Sequence, residues 1–181
     1  MLKGLVSEMN YAKINKTDVA NGPGIRVSIF VSGCTHYCKG CFNSEAWDFS
    51  YGELFTKERI TEILEAMEAD YITGLSILGG EPFEPENQKG ILPLVQAVKD
   101  AFPQKTIWVY SGYDFEMDIM KKMLPELETT KQLLQRIDVI VDGKFIEEKK
   151  NLNLRFRGSE NQKIILVQES MQVGKVVEAG Y

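Results

Sequence analysis

The sequence predicts an α/β fold built on parallel strands, and three observations carry that prediction. Short β-branched or aromatic runs alternate with longer segments of helical periodicity. The short runs are mostly bounded by glycine or aspartate, which punctuate strands. Four of them are followed by a glycine-rich or polar turn. Strand–helix alternation implies parallel strands joined by right-handed crossovers. The length of 181 residues suggests a single domain, 1–181, with room for a proper core.

The first predicted strand is 25–32 (IRVSIFVS). A helix follows, with Thr56 placed to cap it and Ile60, Ile63, Leu64, Met67 and Tyr71 on one face. Residues 75–78 (LSIL) form the next strand, and 88–102 a second helix with Ile91, Leu94, Val95 and Val98 inward and Pro103 closing it. Strand 106–110 (TIWVY) precedes a third helical region over 117–136, with a break expected at Pro125. Strands 137–141 (IDVIV) and 163–167 (KIILV) complete the set, and the tail 168–181 fits no pattern.

Ligands of parallel sheets sit at the carboxyl ends of the strands. The four turns, 32–43 (SGCTHYCKGCFN), 79–82 (GGEP), 111–113 (SGY) and 142–145 (DGKF), would all face that edge. The first holds Cys34, Cys38 and Cys41, every cysteine of the chain, together with His36, its one histidine. Three readings of this C-x3-C-x2-C loop, 33–43, stand side by side. The thiols could be buried apolar side chains grouped by chance. They could form a Cys3His zinc site with His36, although zinc modules usually draw ligands from two separated knuckles. Or they could hold a [4Fe–4S] cluster, leaving one iron without a protein ligand and open to substrate or cofactor. Gly33 and Gly40 permit the tight turns such a loop needs.

Composition narrows the classes. A net charge of −5 gives no general footprint for nucleic acid or an anionic membrane. The only basic-leaning stretch, 144–157 (KFIEEKKNLNLRFR), contains two glutamates and reads as a solvated loop. No apolar run approaches the ~20 residues of a membrane helix. The opening MLKGLVSEMNYAK lacks the sustained apolar core of a signal peptide. Three clustered cysteines do not make a secreted disulfide scaffold. The expectation is a cytoplasmic protein with reduced thiols.

A strand, then C-x3-C-x2-C, then an aromatic, then GGEP after the next strand, resembles the radical S-adenosylmethionine (radical SAM) superfamily. The stretches 21–26 (NGPGIR), 108–113 (WVYSGY), 141–145 (VDGKF) and 154–162 (LRFRGSENQ) are similar to the activating proteins of anaerobic (class III) ribonucleoside-triphosphate reductase. The resemblance runs from about residue 10 to residue 165. It implies an incomplete, open (βα) barrel, since a closed one needs ~250 residues. It implies a [4Fe–4S] cluster on Cys34, Cys38 and Cys41, with SAM chelating the open iron. The SAM amino group is assigned to Gly79, Gly80, Glu81 and Pro82, Gly80 foremost, with Glu81 adding charge or orienting the turn. The segment Gly40, Cys41 and Phe42 packs on the adenine, Asn43 matches the polar residue that follows the aromatic in related activating enzymes, and Ser111 and Asp142 could reach the ribose or methionine part. Lys144 is a candidate partner for a carboxylate, and His36 a bystander. The implied partners are the reductase, as protein substrate, and a flavodoxin-like electron donor. Activation of another glycyl-radical enzyme, of pyruvate formate-lyase type, is the neighbouring possibility.

Overall fold

A computed structural model describes residues 9–181. Residues 1–8, which open the stretch read as lacking a signal peptide, lie outside the described residues. The strands are β1 (Asn10–Asp18), β2 (Ile25–Val31), β3 (Glu53–Leu54), β4 (Ile72–Gly79), β5 (Thr106–Tyr110), β6 (Val139–Asp142) and β7 (Lys163–Leu166). The helices are α1 (Lys57–Met67), α2 (Pro85–Ala101), α3 (Leu124–Glu126), α4 (Glu128–Leu134) and α5 (Val167–Val173). One open sheet runs β3-β1-β2-β4-β5-β6-β7.

The centre of this sheet, β2-β4-β5-β6, is parallel as expected. Its flanks correct the expectation: β1 is antiparallel to β2 and β3, and β7 is antiparallel to β6. The connection from β1 to β2 is residues 19–24, too short for the dozen or more residues of a parallel crossover. The link from β6 to β7 contains no α-helix to cross with. β1 escaped the sequence reading because NYAKINKTD is mostly polar and has little β-branched content.

Register sets two faces. Ile14, Ile29, Ile77, Val109, Ile140 and Ile165 align across six strands. Ile63 and Met67 of α1, Ile91, Leu94, Val95 and Val98 of α2, and Leu133 and Leu134 of α4 cover that row. α1 ends at Met67, so Tyr71 falls beyond it and is 60% exposed rather than inward. Thr56 occupies the cap position, but its hydroxyl makes no capping bond. α2 starts at Pro85, ahead of the expected 88, because proline suits the first helical turn. The third helical region opens with a wide π-helical stretch, Phe115–Met123, and its break falls at extended Leu127. Pro125 sits harmlessly in the first turn of α3.

The other face carries Ser28, Ser76, Trp108 and Val139 in register, with Arg26 beside them. Arg26 is fully buried and its guanidinium donates to Ser76 Oγ (2.8 Å), Leu75 O (2.8 Å) and Thr106 O (2.8 Å). It also lies 5.6 Å from the Trp108 ring. Burial lowers its pKa to about 10, which leaves it charged at neutral pH. A Cβ at Gly22 would stand 2.9 Å from Arg26 Cδ, and one at Gly74 would stand 2.0 Å from Thr106 O. The NGPGIR stretch therefore serves to seat a buried cation. The unassigned tail also has a place here. After α5, Gly174 reverses the chain at φ +70°, and residues 177–179 pair along β7 (Leu166 N to Val177 O, 2.9 Å; Ala179 N to Ile164 O, 2.8 Å). Tyr181 packs edge-on against Trp108 and Phe156. The tail thus covers the β7 edge, which would otherwise present unpaired backbone groups.

Replacing Arg26 by Met strips the buried Leu75 and Thr106 carbonyls of a donor each. The expected cost is about 2–4 kcal/mol in urea unfolding of the apoprotein. A loss below about 1 kcal/mol would show that this face accepts a hydrocarbon there.

Candidate metal and cofactor site

At the carboxyl ends of the parallel strands lies a cavity of about 570 Å3. All four sequence-predicted turns reach it: Cys34, Cys38, Gly40, Cys41 and Phe42 from the first, Gly79, Gly80 and Glu81 from the second, Ser111 and Gly112 from the third, Gly143 and Phe145 from the fourth. Parallel pairing is the cause, since it brings the four strand ends to one edge.

The cysteine loop is held by backbone and by the start of α2. Gly33 N donates to Ala46 O (2.8 Å) and Cys34 N to Trp47 O (3.1 Å). Asn87 Nδ2 reaches the carbonyls of Ser32 (3.0 Å), Gly33 (3.2 Å) and Glu81 (2.9 Å). Glu84 Oε1 accepts from Thr35 N (2.9 Å) and Thr35 Oγ1 (2.5 Å). Sequence reasoning missed Glu84 and Asn87, yet they recur every third residue from Glu81, which places all three on one side of the turn into α2. Gly33, at φ +98°, has the Phe49 ring where a Cβ would go (2.2 Å).

Glu81 is the junction. It is 1% exposed. Oε1 accepts from Phe83 N (2.8 Å) and Ser111 Oγ (2.8 Å), and Oε2 from Gly112 N (2.6 Å) and His36 Nε2 (2.9 Å). Three of the four turns therefore meet on one carboxylate. His36, expected to be a bystander, is instead buried in this network, its ring edge-on to Tyr113 at 4.4 Å.

The other expected residues divide. Phe42 stands at the cavity rim, 86% exposed. Asn43 is half-buried outside the cavity wall, and its Nδ2 is buried without a partner among the described residues. Ser111 turns its hydroxyl to Glu81. Asp142 lies outside the wall, with Oδ2 accepting from Phe115 N (2.9 Å) and Oδ1 from Lys163 N (3.2 Å). Its carboxylate fixes the turn after β6. Lys144 is exposed, and its charge favours the Cys38 thiolate. Within the RGSENQ stretch, Gln162 Oε1 accepts from Gly158 N (2.8 Å) and Ser159 N (3.0 Å), and Nε2 donates to Gly143 O (3.0 Å). Gln162 thereby clips the 143–162 loop to the cavity side.

The donor set fits an iron–sulfur cluster. All three cysteines are unpaired thiols lining one cavity. Burial pushes the Cys34 thiol up to about 11, with the His36 backbone N–H opposing the rise. Burial also raises Cys38, against the pull of Lys144 and the Phe145 N–H. Thiolates so placed need a cationic centre to compensate them. Among the described residues, no three His, Cys, Asp or Glu side chains converge closely enough to hold a single ion. In a cubane each thiolate binds a different iron, so three thiols lining one cavity suit that group. Cys34, Cys38 and Cys41 are the residues that would hold it.

Among the described residues, no helix is long and apolar enough to cross a membrane. Residues 20–165 match the family model described as "4Fe-4S single cluster domain". The chain is 45% identical over 159 residues to the "Anaerobic ribonucleoside-triphosphate reductase-activating protein" of Vibrio cholerae, covering 86% of this chain and 97% of that one. The protein of the same name from Haemophilus influenzae is 44% identical over 156 residues (85% and 96%). That of Escherichia coli is 40% identical over 157 residues (85% and 96%).

Gly80 and Gly40 allow a contrast. A Cβ at Gly80 would stand 2.6 Å from Gly33 O and 2.9 Å from Ala46 O, whereas one at Gly40 meets only the Glu147 side chain at 3.0 Å. Gly80→Val should abolish iron uptake on anaerobic reconstitution, because it dislodges the cysteine loop itself. Gly40→Ala, strained at φ +72° but with a yielding neighbour, should keep most of it. Iron and sulfide assays distinguish the two; equal uptake would refute the packing explanation. The strand-end cavity with its three thiols and the similarity over most of the sequence agree, and the chain belongs to the family of anaerobic ribonucleoside-triphosphate reductase-activating proteins.

Proposed function

We propose that the chain is a radical SAM activase of the anaerobic ribonucleoside-triphosphate reductase, built as an incomplete (βα) barrel. The observation that carries this reading is the ligand count at the cavity. Three thiols line it, and the imidazole beside them, His36, has its Nε2 on Glu81. Cys34, Cys38 and Cys41 would hold a [4Fe–4S] cluster with one iron lacking a protein ligand, where the amino and carboxylate groups of SAM could bind. The chemistry it would supply is one electron to the SAM sulfonium, which would part into methionine and a 5′-deoxyadenosyl radical able to take a hydrogen atom from a glycine of the reductase.

The protein's own residues bind and orient. Gly79 and Gly80 bring bare backbone to the ligand, so their carbonyls can accept from its ammonium group. Glu81 adds negative charge beside it. Gly40 and Phe42 serve the adenine side, with Asn43 behind them. Ser111 serves the ribose or methionine part, and Asp142 acts by holding the turn after β6. The sheet is open, and Phe42 and Leu152 at the cavity rim are 86% and 87% exposed. An apolar, open mouth of this kind suits a polypeptide segment better than a small polar substrate. A flavodoxin-like protein serves as electron donor. Three unpaired thiols support a reducing, cytoplasmic setting.

Anaerobic reconstitution tests the reading. The protein should turn brown and release methionine from SAM under reductant. Cys34→Ala, Cys38→Ala and Cys41→Ala should each abolish that release, since each removes one of three ligands. A colourless zinc protein, or full SAM cleavage in any of the three variants, would overturn it.

A further inference from the structure

We infer that His36 is a positioning residue, which locks the segment between Cys34 and Cys38 onto the Gly79–Gly80 turn through Glu81, and that Gly112 is glycine to make room for its ring. The first part rests on geometry at both ends of the contact. His36 stands between two of the three thiols, and its Nε2 is 2.9 Å from Glu81 Oε2. Glu81 follows Gly80 directly, and its amide donates to Gly33 O at 2.8 Å, one residue before Cys34. The cysteine loop and the glycine turn are thus pinned to each other at backbone and at side chain. The loop has reason to need the second pin. Tyr37, next to His36, adopts φ +50°, a conformation costly for a non-glycine residue. Between Cys34 and Cys38 the side chains that tie the loop down are Thr35 on Glu84, His36 on Glu81 and Tyr37 against Trp47.

The second part rests on space. A Cβ on Gly112 would stand 2.4 Å from His36 Cδ2 and 2.7 Å from Nε2. The φ of Gly112 lies outside the left-handed region, so its backbone does not demand glycine. The ring of His36 does. Tyr113 packs edge-on against that ring at 4.4 Å, and Nε2 faces the carboxylate.

The inference rests on the three-cysteine cluster reading for its functional consequence, but the lock itself can be read without a cluster. In the apoprotein, Cys34 is 7% exposed. His36→Ala should raise its alkylation rate, followed by mass spectrometry, about tenfold, as the loss of a hydrogen bond to a buried carboxylate implies. Gly112→Ala should do the same, and the double variant should be no faster than either alone. His36→Gln, whose amide N–H can still reach Glu81, should restore the slow rate.

In reconstituted protein, His36→Ala and Gly112→Ala should take up iron but bind SAM about tenfold more weakly. The electron paramagnetic resonance spectrum of their reduced cluster should respond less to SAM, with recovery in His36→Gln. Unchanged Cys34 alkylation in both variants, additive effects in the double variant, or SAM affinity within twofold of wild type would each overturn the inference. Should the wild-type protein bind no cluster, the activase reading fails, while the alkylation series still decides whether the lock exists.

Discussion

A carboxylate withdrawn from water is tolerated only when hydrogen bonds replace its hydration, and Glu81 is such a group. It accepts four bonds, and their donors come from the cysteine loop, the turn after β4 and the turn after β5. No single turn could satisfy it. The three turns must therefore sit where they do relative to one another, or the charge is left bare at a cost of several kcal/mol. That requirement ties the cysteine loop, the bare glycine backbone and the Ser111 hydroxyl together, alongside the bonds that Glu84 and Asn87 make to the cysteine loop.

Glycine marks the places where this crowding leaves no room. Gly80 lies against the carbonyls of Gly33 and Ala46, and Gly79, at φ +113°, against the backbone of Phe30 and Val31. These contacts are between backbones, which cannot step aside as a side chain can. The glycines that suit a ligand approaching the turn are thus also those the fold requires for strand and loop to cross. On the face that buries Arg26, Gly74 likewise abuts a backbone carbonyl, that of Thr106, whereas Gly22 leaves room for the Arg26 side chain itself.

Much of this was legible in the sequence because periodicity and turn chemistry are local. The inward residues of α2 and the four strand-end turns follow from apolar spacing and from glycine after β-branched runs. β1 was not legible, since its polar sequence gains its strand from pairing with β2. Nor was the tail, whose 177–179 segment is extended only because β7 offers an edge. At the site, cysteine spacing revealed the thiols, and the GGEP turn revealed the glycines. The partners of Glu81 are long-range: His36 is 45 residues away and Ser111 is 30. That distance is why a solitary histidine beside two cysteines read as idle, and why Asp142, at a strand end, read as a ligand contact although both its oxygens serve backbone amides.

In the function proposed, the open cavity delivers a radical to a glycine of another protein. Mixing the reconstituted protein anaerobically with the anaerobic reductase, SAM and reductant, and recording the electron paramagnetic resonance spectrum, tests this. An organic radical should appear, with a proton splitting that collapses when the reductase carries deuterated glycine. SAM cleavage without any such radical, or a radical indifferent to glycine labelling, would contradict it.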